Sequence, residues 1–185
     1  YNGLTPYRFT VTPDGEPTGT PDPKISWLYT AEGGAVKLFS LLYNNALVDR
    51  TKMGVTGISW GGYSATFLGG LLGDRVQAVV STYGSGYYEE ESAFHTFIRP
   101  EYSTSYIKTQ EALDCFLTYL DAGRRSENMT AAYYVGAGTN DNWFRPVAVT
   151  KTLSAMQSAD ARLGFSPNDN HAFKLPGGTG VTRRS

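Results

Sequence analysis

The sequence predicts an α/β fold: a mostly parallel sheet with helices on both faces. Short apolar, β-branched runs near residues 53, 76, 131 and 162 alternate with segments of helical apolar spacing. Such alternation is the pattern of βαβ units with right-handed crossovers. One of those runs enters the next helix through Gly57-Ile58-Ser59-Trp60-Gly61, a sharp G-x-S-x-G turn. Reactive side chains also fall just past strand C-termini, where open α/β sheets place functional groups.

Residues 1–24 are rich in Pro, Gly and Thr and read as loop or an extended arm. A helix is expected over Ile25 to Asn45, with Val36, Phe39 and Leu42 on one face and Leu38 and Leu41 beside them. Met53-Gly54-Val55-Thr56 reads as a buried strand. The next helix carries Ala65, Leu68 and Leu72 and stops at Gly73. Val76 to Thr82 is a second strand. From Tyr83 to Leu120 the pattern breaks, and residues 83–120 are expected to form a lid or substrate-facing insertion closed by a helix over Thr109 to Leu120. Ala131 to Val135 is a third strand, Pro146 to Ala159 a helix with a favourable proline start, and Ala161 to Phe165 a last strand.

The whole chain, 185 residues, 41% hydrophobic and 18% charged with net charge −1, is one domain's worth of globular sequence. Nothing before residue 50 reads as the strands that would normally precede such a turn. The chain also ends soon after His171. The expectation is therefore a domain lacking its N-terminal strands, a partial chain with an unpaired sheet edge. The remaining part of the same protein, or another chain, would complete the sheet.

Near-neutral charge gives no case for nucleic acid or an anionic membrane surface, and no apolar run approaches the roughly 20 residues of a bilayer span. Arg124-Arg125 and Arg183-Arg184 read as solvated surface. A single cysteine, Cys115, reads as a buried helix position and excludes an internal disulfide. Asn128-Met129-Thr130 is a glycosylation sequon, meaningful only in a eukaryotic secretory setting. No metal-ligand spacing or phosphate loop occurs, so no cofactor or metal is expected. A start at Tyr1 means a removed leader or a missing start. A secreted or periplasmic location is slightly favoured over a cytoplasmic one.

Ser59 would sit on the strained turn with its Oγ exposed, the flanking glycines leaving room for the backbone. The Trp60 N–H, at a helix N-terminus, would face a tetrahedral oxyanion. A serine hydroxyl needs a base. Only His95 and His171 exist, and only His171 fits the order Ser…Asp/Glu…His; His95 lies in an aromatic stretch suited to packing or capping. Asp141, on the loop after the third strand, is the expected acid, the bland alternative being a cap for the helix near Pro146. Asp169 lies too close to His171 to orient its ring, and Asp114 and Asp121 read as solvated helix positions.

Gly54-Val55-Thr56-Gly57-Ile58-Ser59-Trp60-Gly61-Gly62-Tyr63 resembles the nucleophile elbow of the α/β-hydrolase superfamily, in its acetylxylan esterase, dienelactone hydrolase and prolyl oligopeptidase-like branch. Gly138-Thr139-Asn140-Asp141 looks like that branch's acid loop, Asn170-His171 like its histidine loop, and Val79 to Gly84 is similar to the strand after the elbow. The resemblance spans about residues 25 to 175. It implies an α/β-hydrolase fold, with Ser59 as nucleophile, His171 as base, Asp141 as orienting acid and Trp60 N–H in the oxyanion hole. The missing strands leave the second oxyanion donor unassigned.

The leading expectation is a serine hydrolase, a carboxylesterase acting on acylated carbohydrate through an acyl-enzyme. Its substrate is a small-molecule or carbohydrate ester. Tyr83, Trp143 and Phe144 are the candidate substrate-binding residues, although Trp143 and Phe144 could simply pack under the acid loop. A prolyl oligopeptidase-type peptidase would need an acidic anchor, for which Glu89-Glu90-Glu91 is the one candidate, though such a run usually forms a solvated face. A non-catalytic binding or assembly protein on the same scaffold is the third reading.

Overall fold

A computed structural model of the chain describes residues 21–90 and 109–171. Four strands form one parallel sheet in the order β1 (Gly54–Ile58), β2 (Ala78–Thr82), β3 (Ala132–Gly138), β4 (Ala161–Ser166). Each is centred within a few residues of its expected place. Helix α1 (Trp27–Tyr43) precedes β1, α2 (Trp60–Leu72) links β1 to β2, and α3 (Gln110–Tyr119) and α4 (Ala122–Ser126) precede β3. Helix α5 (Pro146–Ala155) then links β3 to β4.

Local chemistry sets the boundaries. Ser26 caps α1 by accepting from Leu28 N, and Thr109 caps α3 by accepting from Ala112 N. Gly73 ends α2 at φ 57°, a conformation glycine adopts without a Cβ penalty. Pro146 opens α5, which stops at Ala155, short of the expected Ala159. No helix among the described residues is long and apolar enough to cross a membrane.

Helix α2 is buried along nearly its whole length and lies on the sheet face that carries Val79, Ser81 and Tyr133. Thr66 Oγ1 and Tyr133 Oη are 3.0 Å apart, and Ser81 Oγ donates to Gly62 O at 3.0 Å. A Cβ on Gly69 would come within 2.7 Å of Val79, so the missing side chain sets how closely helix and strand pack. The alternate side chains Ala78, Val80, Ala132 and Ile58 are exposed. This part of the sheet is thus covered on one face only among the described residues, and its strands alternate in burial where two-sided burial was expected.

Four expectations are corrected. The buried face of α1 is Leu28, Glu32 and Phe39, while Leu38, Leu41 and Leu42 are 61%, 72% and 47% exposed. The helix packs on α2 through a stripe that includes an acid, which turns the leucines outward. Asp121 is buried because it caps α4 and accepts from the N–H groups of Tyr87 and Tyr88. Arg124 and Glu89 are a bidentate pair at 2.7 and 3.3 Å, not solvated residues, and Glu90 pairs with Lys151. Cys115 is half-buried. His95, Glu91 and the rest of residues 91–108 of the 83–120 insertion lie outside the described residues.

Candidate active site

Ser59 follows β1 directly and precedes α2, at φ 57° and ψ −120°. A non-glycine residue in that region stores strain that the surrounding structure must hold. It is held from both sides: Ser59 N donates to Thr82 O at 2.8 Å, and Ser59 O accepts from Tyr63 N at 2.9 Å. The glycines are not equivalent. A Cβ on Gly57 would lie 2.1 Å from Gly61 O, and one on Gly62 2.8 Å from both Ser81 Oγ and Thr82 O. A Cβ on Gly61 would meet nothing within 4 Å. The turn therefore requires Gly57 and Gly62, and the second glycine of the motif is not sterically needed. Gly84 completes the close approach, since its Cβ would fall 2.1 Å from Gly62 C.

His171 reaches Ser59 from beyond the C-terminal end of β4. The path is a turn stitched to the loop after β3: Thr139 N donates to Ser166 O at 3.1 Å, Asn140 N to Asp169 O at 2.8 Å, and Asn168 N to Thr139 Oγ1 at 2.8 Å. Gly138 permits this contact, because a Cβ there would lie 2.4 Å from Asp169 O and 2.6 Å from Asn170 O. Both loops thus arrive as one unit at the C-terminal edge of the sheet.

The three predicted residues meet there. Ser59 Oγ is 2.7 Å from His171 Nε2, and His171 Nδ1 is 2.8 Å from Asp141 Oδ2. The Asp141 side chain is fully buried. Its other oxygen, Oδ1, accepts from Trp143 N at 2.8 Å and Phe144 N at 3.0 Å. One carboxylate therefore closes its own loop and holds the imidazole. It does not cap α5, whose N-cap is Arg145. Of its rivals, Asp114 accepts from Gln110 on an exposed face, Asp121 serves α4, and Asp169 takes part through its backbone carbonyl.

The imidazole is fixed by aromatic contacts as well. Phe144 stacks on it with centroids 5.6 Å apart and planes at 23°, and Tyr83 lies 5.0 Å away, tilted 47°. Phe144 is 1% and Tyr83 2% exposed, so both are placed as supports of the ring, leaving Trp143, 39% exposed, as the open aromatic beside the site. Trp60 begins α2, and its ring meets Trp27, Tyr63 and Tyr88 edge-on. Tyr88 in turn packs on Phe144. Tyr88 was not singled out in the sequence, and neither were Gly62, Gly84 and Gly138 as close-approach positions. The doubled Gly61-Gly62 and the Gly136-Ala137-Gly138 run were the available signals.

No family model matches the sequence, and no curated protein does. Solved structures do match. An acetyl xylan esterase from a Thermoanaerobacterium species superposes with TM-score 0.63 at 19% identity, over 77% of this chain and 47% of that one. An acetyl xylan esterase from a Paenibacillus species gives 0.66 at 16% identity, over 84% and 51%. The acylaminoacyl peptidase of Pyrococcus horikoshii gives 0.56 at 15%, over 80% and 24%. The chain spans about half the length of the two esterases. With parallel strands, a strained elbow and matches of this kind, the chain has the α/β-hydrolase fold.

Proposed function

We propose that this chain carries the catalytic centre of a serine hydrolase, and that its substrate is a carboxylic ester on a carbohydrate. The observation that carries the reading is the continuous hydrogen-bonded line from Ser59 Oγ through the imidazole to Asp141, 2.7 and 2.8 Å, at a serine held in a strained elbow. Ser59 Oγ attacks the ester carbonyl while His171 Nε2 takes its proton. Asp141 holds the tautomer with the proton on Nδ1 and stabilises the imidazolium. The oxyanion develops at the start of α2, where the Trp60 N–H and the helix dipole favour negative charge. His171 then protonates the departing alcohol, and a water activated by the same nitrogen releases the acid from the acyl-enzyme. Trp143, exposed beside the acid, offers a face on which a sugar ring can stack.

The esterase reading is favoured over the peptidase reading by Glu89 and Glu90, the described part of the acidic run. Glu89 is committed to Arg124 and Glu90 to Lys151, so neither is available to anchor a peptide amine. We also propose that the edge of β1 not paired with β2 receives a further strand, from the rest of the same protein or from another chain, and that this addition brings the second oxyanion donor. A polymeric carbohydrate does not cross a membrane, so the enzyme would act outside the cytoplasm.

The test is labelling by a fluorophosphonate, comparing the native chain with Ser59→Ala. Specific loss of label in the variant supports the reading, and equal labelling overturns it. Turnover of p-nitrophenyl acetate and acetylated xylan, without turnover of a proline anilide, would then separate esterase from peptidase.

A further inference from the structure

Glu32 occupies a place on α1 that the helix otherwise gives to Leu28 and Phe39, and it is 4% exposed. Oε1 accepts from Ser64 Oγ of α2 at 2.5 Å. Oε2 is buried and has no hydrogen-bond partner. A buried carboxylate oxygen without a donor is costly unless something else satisfies it. Burial pushes the Glu32 carboxyl up to about 7, partly opposed by the Ser64 hydrogen bond, so the group changes charge near neutral pH.

Glu32 also lines a cavity of about 680 Å³, a size typical of small-molecule sites. Its walls are Tyr29 and Val36 of α1, Phe67 and Leu71 of α2, and Tyr119 and Leu120 at the end of α3. Phe67 and Leu71 lie eight and twelve residues beyond Ser59 along the same helix, ~12 and ~18 Å along its axis at 1.5 Å per residue, and Ser64, which meets Glu32, lies ~7.5 Å along it. The charged groups facing this space are Lys37, exposed on α1, and Arg125 of α4, which donates to the Thr118 and Tyr119 carbonyls and lies over the Phe67 ring. Neither forms an ion pair with Glu32 among the described residues.

We propose that this cavity binds a small amine with an apolar or aromatic body, its ammonium group received by Glu32. The body fills the aromatic walls. The ammonium supplies the donor that Oε2 lacks, after a turn of the carboxylate about its terminal torsion, which is soft for glutamate. Ionised Glu32 is the binding form, so affinity rises with pH across neutrality.

Titration calorimetry with 2-phenylethylamine tests this, with 2-phenylethanol as the uncharged control. At pH 8 the amine binds the native chain, and Glu32→Gln weakens it at least tenfold. Lowering the pH to 5.5 weakens it tenfold or more in the native chain but leaves the variant unchanged; the alcohol binds both proteins alike. Should the glutamine variant fail to fold, Leu71→Trp narrows the cavity while keeping the carboxylate, and the amine is then weakened at least tenfold. Absence of binding at millimolar amine, equal binding to native chain and Glu32→Gln, undiminished binding in Leu71→Trp, or protection of Ser59 from the fluorophosphonate would each overturn the proposal.

Discussion

At the residue scale, the candidate site depends on backbone clearance as much as on its reactive groups. Gly57 and Gly138 have no room for a methyl group, since the added carbon would lie 2.1 Å from Gly61 O and 2.4 Å from Asp169 O respectively. Gly61 has room. Gly57→Ala is therefore expected to lower Tm by several degrees and abolish labelling, whereas Gly61→Ala shifts Tm by no more than about 2 °C, a surface-sized effect. Thermal melts of the two variants side by side check the contrast. Asp141→Asn keeps the loop, because the amide oxygen can still accept from Trp143 N and Phe144 N. It loses control of the imidazole tautomer, and kcat on p-nitrophenyl acetate should fall by about 10⁴-fold. A drop under tenfold would remove Asp141 from the proposed triad.

At the element scale, α1 and the aromatic layer beneath the imidazole decide stability. Glu32 is a carboxyl whose folded pKa, about 7, is raised above its unfolded value. Its protonated form is the one that folding favours. Its stabilising contribution is full at low pH and is lost as the pH climbs through about 7. Urea denaturation of Glu32→Gln should match the native chain near pH 5 and exceed it by about 1–3 kcal/mol at pH 8. A native chain that is more stable at pH 8 than at pH 5 relative to the variant would contradict the sign. Phe144 stacks on the imidazole and lies tilted, at 54°, against Tyr88. Phe144→Ala should cost about 3–5 kcal/mol in the same measurement and loosen His171, so that activity falls even where the protein remains folded.

At the scale of the whole molecule, what stands out is exposed apolar surface. Leu38, Leu41 and Leu42 on α1, Leu47 after it, and Ile58 and Val80 on the open sheet face are all exposed. β1 hydrogen-bonds only to β2 among the described strands. Unpaired strand edges and apolar patches promote association. Expressed as this chain alone, the protein should self-associate, and the double change Leu41→Lys with Val80→Lys should shift it towards monomer in size-exclusion chromatography with light scattering. A native chain that is already monomeric at high concentration would count against a missing partner for this surface.

The sequence by itself determined the four strands, the longer helices between them and Ser59, because each is encoded by local pattern: β-branched runs, apolar periodicity, and a turn motif set between a strand and a helix. Pro146 and Gly73 marked helix ends for the same reason. Asp141 and His171 followed from chain order after that serine, and the short α4 was not read. Packing decided the rest. Which face of α1 is buried, why Asp121 and Arg124 are not surface residues, and why Phe144 and Tyr83 support the ring could not be read from the chain, since each follows from a neighbour distant in sequence. The 2.7 Å approach of Ser59 Oγ to His171 Nε2 belongs to that second class: residues 112 apart meet only when β4 folds beside β3 and glycine lets their loops touch.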